Sequence, residues 1–599
     1  LLTENQNIRQ IYSQLKTNWE QEKPIWEDIA AYVGISVNPD GNVTTNNNRK
    51  GDALDVMIDD PTCAISVNQA GDYMAGILVG TGDKLFDIIP SRHVEELVDK
   101  SVVEPFYKYA TRSALFHINH PNAGFSVALR PYAYDQIAFG TSGIGTFKNN
   151  DFINGVDENA LNFKNYGVDN LIIDEGRGMQ VDTVFVPEAM RVNRIIQDFC
   201  FVGGALDNKL FAKMPQAIRD AYNTKDLNKQ FVIVFGFFPR ANFNPKMAGK
   251  RGTRYKGVWF MDGQNDDSIF REEDFAERPI AVARAIKVRN EVYGRASGTM
   301  LISTIRSVNF MVGNAIEIVE KMSNPALGIL NNAIFGDSVL DSSPNSLTVF
   351  NDAFVGKAPP IFPIADVGDP SAILKFLLPY LNEKIATAFK IDVLLDFSSA
   401  KDMTATESLQ RYAIRGKSLS GTLLQQKNEV LVPVCKRSIS LLYMLGELGV
   451  NPILMEDKAK QLAALGLSER IIPEAVLQVI AEGKPWYELR FNNELEKLTR
   501  TEAVQNLLQV LQAISAIMPL YPQIAEGVNW FKLLLAINEN LDANSQILLS
   551  EKEFKDKIMK IAQANAQAVA LQAGQAGAEI QQKASIANKN NTEAANVAK

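Results

Sequence analysis

The chain has 599 residues, 46% hydrophobic and 22% charged, a composition with enough apolar side chain for several cores that excludes disorder throughout; length suggests about three or four domains. Lys and Arg number 61 against 69 Asp and Glu, a formal net charge of −8, which argues against a tight grip on nucleic acid but not against DNA passing by. Three scattered cysteines (Cys63, Cys200, Cys435) exclude a disulfide scaffold and zinc-cluster spacing and fit assembly in a reducing compartment. No apolar run approaches the roughly 20 residues of a membrane helix.

The start, Leu1-Leu2-Thr3-Glu4-Asn5, has neither a signal-peptide pattern nor an initiator Met, so a few upstream residues are expected to lie outside the numbering. Ile8, Ile11, Leu15, Trp19, Trp26 and Ile29 recur at helical spacing, with Pro24 expected to break or restart the helix. Residues 41–51 are polar and Asn-rich, a loop by composition. Asp60-Pro61-Thr62 opens a second helix, an Asp cap followed by Pro, running to Leu78. Leu85 to Pro90 reads as a strand, 94–118 and 125–138 as helices, and His120 to Gly124 between them as a turn. Strand-like runs follow at 144–148, 170–173, 183–187, 230–239 and 257–262.

From Ala296 the pattern changes. Met300, Leu301, Ile305, Val308, Met311, Val312, Ala315, Ile316 and Val319 repeat at threes and fours, a long helix with a wide apolar face. Residues 325–369 are rich in Gly and Pro, and Asp369-Pro370 starts another helix to Phe389, kinked at Pro379. Asp396 to Asp402 is a polar loop. A long helix then runs from Thr404, capped with Glu407 three residues on, to Leu445, interrupted at Gly416, Gly421 and Pro433. Further helices are expected at 456–464, 473–482, 491–518 and 529–540, and the tail from Ser550 is an Ala/Gln/Asn tract.

Signals for chemistry are few. The three histidines (His93, His117, His120) make no metal set, and the Gly140–Gly145 run lacks the Gly-Lys-Ser/Thr ending of a phosphate loop and reads as a backbone turn. Asp59-Asp60 and Asp266-Asp267 read as solvated loop acids. Lys246, Lys250, Arg251, Arg254 and Lys256, with Tyr255, form the strongest cationic cluster, expected on an exposed hairpin loop. No catalytic residue, cofactor or metal is expected.

Several segments, taken in order, carry a resemblance. They are Asn68 to Leu78 with the strand Phe86–Pro90; Tyr293-Gly-Arg-Ala-Ser-Gly298 leading into the long helix; Ile385 to Phe389 with Met403 to Glu407 and Arg411; and Asn493 to Leu498. Their order and spacing resemble the portal, or head-to-tail connector, proteins of tailed bacteriophages, and locally the connector family of short-tailed, podovirus-type phages. The resemblance spans residues 1–555. It implies an α+β, mostly helical portal fold assembled as a ring of twelve. A wing would take 1–296, stem helix 1 297–324, the clip 325–369, stem helix 2 370–391, the tunnel loop 392–403, a long bridging helix 404–446 and a helical crown 447–550. Residues 551–599 would form a helical barrel or a disordered tail.

The resemblance further implies a conduit for DNA packaging and ejection at one capsid vertex, the head–tail junction of a virion assembled in the host cytoplasm. The implied partners are further copies of the chain, double-stranded DNA in the channel, a terminase packaging motor, the major capsid protein, tail adaptor or tail tube proteins and internal core proteins, with no membrane. Lys375, Lys384, Lys390 and Lys401 are the candidates to face DNA. Arg411 and Arg415, on the most basic long element, are the candidates to meet a neighbouring subunit's acids, such as Glu272-Glu273-Asp274. Asp337, Asp341 and Asp352 make the clip an acidic docking surface. The apolar faces Met300, Leu301, Ile305, Val308, Val312 and Ile373, Leu377, Leu381, Ile385 would pack around the ring; an ordinary intrachain hairpin is the alternative. The competing functions are another ring-forming virion or scaffolding protein, or a nuclease or hydrolase using scattered carboxylates.

Overall fold

The computed structural model describes residues 4–33, 59–79, 85–153, 155–176, 178–202, 205–244, 252–263, 269–323, 327–329, 361–363, 373–389 and 424–491, with short helical pieces beyond. Residues 1–494 form one compact unit and 495–599 a second. The first is mixed α/β with open, antiparallel sheets.

Helix α1 (Glu4–Val33) runs unbroken through Pro24. Pro24 is exposed, so the carbonyl it leaves without a partner faces water, while Trp19 and Trp26 on either side are each 2% exposed and hold the helix down. The Trp19 indole donates to the Val168 carbonyl at 2.8 Å. Helix α2 (Thr62–Val79) starts as its sequence predicts: the Asp60 carboxylate accepts from the Thr62 amide at 3.2 Å and from its hydroxyl at 2.6 Å. Strand β1 (Phe86–Pro90), α3 (Arg92–Glu95), α4 (Lys100–Asn119), a 3-10 turn at Pro121–Ala123 and α5 (Phe125–Ala138) follow.

The Gly140–Gly145 run is a strand, not a turn: β2 (Thr141–Lys148). Only Gly140 turns, at φ 84°, because a Cβ there would collide with the backbone of Gly294 to Ala296. The chain continues through α6 (Asn150–Ile153), β3 (Leu161–Tyr166), β4 (Ile172–Glu175) and β5 (Val181–Arg191). A small excursion follows, α7 (Val192–Cys200), β6 (Phe201–Val202), β7 (Ala205–Leu206), α8 (Asn208–Lys213) and α9 (Gln216–Asn223). It encloses its own core of Val192, Ile195, Ile196, Cys200, Met214 and Ile218 against the sheet. Then come β8 (Gln230–Pro239), β9 (Tyr255–Met261), β10 (Ile269–Phe275) and β11 (Ile280–Arg284).

Five strands pair in the order β10-β9-β8-β5-β4, and three more as β11-β2-β3. Lys256 is not on an exposed loop. It lies in β9, buried, 3.2 Å from Glu272 on β10. The rest of the cationic cluster is Arg254, described beside it, and Lys246, Lys250 and Arg251, outside the described residues.

Helix α10 (Ser297–Ser323) is followed by the paired strands β12 (Leu327–Ile329) and β13 (Ile361–Pro363). The next helix opens with a π-helical turn, Ile373–Leu377, before α11 (Leu378–Ala388). A second π turn, Lys427–Leu431, precedes α12 (Val432–Leu445). Each stands just ahead of a proline, Pro379 or Pro433, which has no N–H to close an ordinary α turn. After α12 come α13 (Glu456–Ala464), α14 (Glu474–Ala481) and a strand that the sequence reading missed, β14 (Tyr487–Phe491). It pairs antiparallel with β1, Phe86 opposite Phe491, so this stretch is not purely helical and closes onto the N-terminal part. The helices at 456–464 and 473–482 are as expected. Phe491 ends a strand, and only short helical pieces of 491–518 and 529–540 are described.

One polar network ties these pieces together. Arg284, at the end of β11, is 1% exposed. Its guanidinium contacts Glu175 at the end of β4, and donates to Glu429 in the second π turn at 2.9 Å and to the Met179 carbonyl at 2.6 Å. Its backbone N–H also donates to Glu429, at 2.8 Å. Beside it, fully buried Gln426 donates to the Arg284 carbonyl at 3.3 Å and to Gln136 at 3.2 Å, and accepts from Tyr132. Removing one carboxylate leaves a buried charge short of a partner, at a cost of about 3–5 kcal/mol. Glu429→Ala is therefore expected to lower the melting temperature by several degrees, and Arg284→Met in that background to recover part of the loss. A Glu429→Ala protein that melts like the wild type would show that the network carries no stability.

Candidate functional site

The helical pair expected to be the stem is built at its base. The Ser297 hydroxyl at the start of α10 donates to the Ala388 carbonyl at the end of α11, at 2.9 Å, so the two helices run antiparallel. Ile305 and Val308 pack with Ile385 and Phe389 in the main core, with Leu301, Ile302, Val312 and Leu381 against them. At its base the pair is an intrachain hairpin. Higher up the apolar stripe of α10 runs on without cover: Ile316 is 46% exposed, Val319 49% and Met322 56%. On the facing element Phe376 is 76% exposed, and Leu377 and Tyr380 are exposed too, so Leu377 is not part of the chain's own packing.

Of the lysines expected to face DNA, Lys375 and Lys384 are described, and both are exposed. The Lys384 ammonium lies 5.3 Å from the centre of the Tyr380 ring, one turn back. Lys390 and Lys401 lie outside the described residues, as do Arg411, Arg415, Asp337, Asp341 and Asp352. The acids suggested for Arg411 and Arg415 have partners in their own chain: Glu272 binds Lys256, Glu273 binds Arg271 and Asp274 binds Arg240. Arg437, counted with the basic bridging element, is 6% exposed and lies over the Phe275 ring at 5.2 Å. That part of the bridging charge is met within the chain.

A cleft of about 490 Å³ opens between the C-terminal end of α5 and the turn after β3. Arg130, Tyr134, Asp135 and Phe139 line one side, Asn165, Val168, Asp169 and Asn170 the other. Arg130 holds Asp72 at 2.6 Å across the rim. A Cβ at Gly167 would meet Asp169 Oδ1 at 2.8 Å and Asp135 Oδ2 at 2.9 Å, so the two carboxylates bracket one spot. Desolvation pushes the Asp135 carboxyl up to about 7, and Asp169 adds to the rise; the Asn165 amide at 3.1 Å and the Ser142 hydroxyl at 3.4 Å oppose it. Nothing in the local sequence marks Asp135, because its partner comes from a turn more than thirty residues on. Arg284 did carry a signal, a lone charge closing the apolar run Ile280-Ala-Val-Ala.

The cysteines are buried and unpaired, and burial pushes the Cys63 thiol up to about 12 and Cys200 to about 11. His117 is buried, accepting from the Ala160 amide at 3.3 Å with Glu447 3.6 Å away. Among the described residues no three His, Cys, Asp or Glu side chains are grouped to hold a metal ion, and no helix is long and apolar enough to cross a membrane.

An acid whose folded pKa is raised keeps its proton in the folded chain after the unfolded chain has released it. Asp135 therefore contributes most below about pH 4, and stability falls as pH rises from there to about 7. Asp135→Asn keeps an acceptor for Asn165 and Ser142 and removes the charge. It is expected to stabilise the protein by about 2–4 kcal/mol at pH 8 and by little at pH 4. Thermal melts of both proteins across that range check this; curves that stay parallel would exclude it.

The model of a family described as bacteriophage head to tail connecting protein matches residues 5–548. The portal protein of Salmonella phage epsilon15 is 18% identical over 328 residues, 54% of this chain and 54% of that protein. The chain thus spans about half the length of this curated relative. A solved structure described as the virion of a native gene transfer agent particle is 12% identical, covering 71% of this chain and 90% of that chain at a TM-score of 0.27, too low to carry an argument about fold. On the family match, which takes in nearly its whole length, this chain belongs to the bacteriophage head to tail connecting proteins.

Proposed function

We propose that the chain is a portal subunit: copies assemble into a ring of about twelve around a DNA channel at one capsid vertex. The ring admits the genome driven by a separate packaging motor, then retains it and joins the tail. The observation that carries this reading is the set of uncovered apolar side chains on the helical pair: Ile316, Val319 and Met322 on α10, and Phe376, Leu377 and Tyr380 on its partner. A lone subunit would leave these side chains in water. A ring sets a second, complementary face of the next copy against them, and each added copy repeats the gain. The family match supports the setting at the head–tail junction.

The same reading gives the exposed lysines a role. Lys375 and Lys384 would meet phosphates as screened, transient contacts, repeated around the ring. A channel must touch DNA without seizing it, and a chain of net charge −8 suits that. The acidic insert with Asp337, Asp341 and Asp352 would serve as the docking face for the terminase motor and later a tail adaptor. The major capsid protein would hold the wing, and internal core proteins could stand on the crown.

Native mass measurement at micromolar concentration is expected to give about twelve copies, with an axial hole in end-on electron micrographs. Ile316→Glu with Val319→Glu buries charge in the proposed contact and is expected to weaken assembly at least about 100-fold. Full rings from that double variant would sink the reading. Rings carrying Lys375→Glu and Lys384→Glu should assemble normally but bind short duplexes more weakly, with a shallower salt dependence; unchanged binding would remove these lysines from the channel.

A further inference from the structure

The cleft beside α5 is bounded on one side by the short turn at residues 167–170, and that turn also holds two other parts of the chain. The Val168 carbonyl accepts from the Trp19 indole of α1 at 2.8 Å. Just past the turn, the Leu171 carbonyl accepts from the Tyr293 hydroxyl at 3.1 Å, and the same hydroxyl accepts from the Ile173 amide at 3.3 Å. Tyr293 stands just ahead of α10, and its ring meets Trp26 of α1 edge-on at 5.0 Å. Within the turn the Asn170 backbone amide donates to the Gly167 carbonyl at 3.1 Å, and the Asn170 side chain donates to Asp169 at 3.2 Å.

The turn brings one carboxylate, Asp169, to the same spot as Asp135, which rides on α5. Burial acts most on the Asp135 carboxyl, followed by the Asn165 amide, Asp169 and the Ser142 hydroxyl; no cation is among these. The other charged or titratable side chains around the pair have partners of their own or stay neutral. Arg130 on α5 binds Asp72 on α2, and Lys164 on β3 binds Glu188 at 2.7 Å. Lys23 on α1 lies 6.0 Å from the Trp19 ring and 3.8 Å from Glu27. Burial pushes the Tyr134 and Tyr166 phenols and the Cys63 thiol up, so all three stay neutral to about pH 9. Strand β2 and helix α10 approach with Ser142 and Gly298, neither of them charged.

Two carboxylates that converge on one point do not both ionise without moving apart. Of their two supports the turn is the one that can yield: α5 is packed on α2, β2 and β3, whereas the turn is closed by the Asn170–Gly167 bond. We propose that the turn at 167–170 is a proton-operated catch on α1 and on the lead-in to α10, closed on α5 while Asp135 keeps its proton and released when Asp135 and Asp169 are both ionised. Release loosens the Trp19 and Tyr293 bonds together, because one stretch of chain carries both. With the Asp135 carboxyl pushed up to about 7, release falls between about pH 6 and about pH 8. Helix α10 bears the uncovered apolar stripe, so the catch sets how firmly that helix is seated. It acts within one chain and does not require the ring.

Hydrogen exchange of the full-length protein, read by mass spectrometry on peptides over 164–173, 15–26 and 290–300, tests this from about pH 5 to about pH 9. Asp135→Asn is measured beside the wild type at each pH, so that the intrinsic pH dependence of exchange cancels. At about pH 5 the two are expected to exchange alike. At about pH 9 the wild type should exchange at least about tenfold faster over all three segments and no faster over 192–223. Asp169→Asn, which leaves Asp135 without its like charge, should match Asp135→Asn at the high end; if Asp135→Asn fails to fold, that comparison decides alone. A ratio that does not change with pH, or a rise confined to 164–173, overturns the proposal. So does an equal rise over 192–223, which would be loss of global stability rather than release of a catch.

Discussion

A guanidinium removed from water is stable only where carboxylates and carbonyls replace the water it loses. Arg284 meets that condition by drawing its partners from three places: Glu175 at the end of β4, Glu429 in the π turn before α12, and the Met179 carbonyl. None is near it in sequence, so the network forms only when both sheets and the late helix have come together. Met179 contributes at a local cost, since it sits in the left-handed region at φ 57°. Gln426, Gln136 and Tyr132 extend the demand inward, each needing the next for its hydrogen bonds. The network fixes the start of α12, and its apolar face, Val434, Cys435, Ile439 and Leu442, seats the rest in the core.

The two π turns solve a matching local problem. Pro433 cannot donate to the Glu429 carbonyl, and Pro379 cannot donate to that of Lys375. The wider turn hands the bonding one residue along: the Val432 amide reaches the Lys427 carbonyl. In the second case the same turn carries Gln426 on its leading edge and Glu429 within it, so the proline that interrupts the helix also stands beside the residues that anchor it. The sequence shows both prolines as kinks. What it does not show is that each kink is an extra residue rather than a break.

Legibility elsewhere followed the origin of each force. Strand β8 was read with its observed ends and β5 and β9 in place, because their apolar runs are intrinsic. Strand β10 was missed: Arg271-Glu-Glu-Asp274 looks like solvated loop, yet it is the edge strand of its sheet, where charges face outward and guard the open side. Strand β14 was missed because its reason for being extended is Phe86–Pro90, some four hundred residues earlier. Pro24 was over-read, since a proline on the wet side of a helix fixed by two tryptophans costs one hydrogen bond that water can replace. The apolar face of α10 was read correctly, but not how much of it the chain would cover alone. The lysines at 375 and 384 were found exposed, as a role on a surface requires, and the acids at 272–274 were found already engaged.

In the proposed ring, acids that are already engaged cannot be what holds copies together. An acid already bound to a cation of its own chain gives little new attraction to an arginine arriving from a neighbour, and what it gives is screened. Glu272, Glu273 and Asp274 are all so bound. The uncovered stripe from Ile316 to Met322 has no such prior partner, and its gain on burial is insensitive to salt. In the proposed ring, cohesion through apolar helix faces, with Glu272, Glu273 and Asp274 satisfied inside each subunit, would leave the exposed lysines free for contacts that must form and release. A channel for a polyanion needs that separation. If cohesion rested on ion pairs lining the same passage, moving phosphates would compete for the cations that held the ring closed.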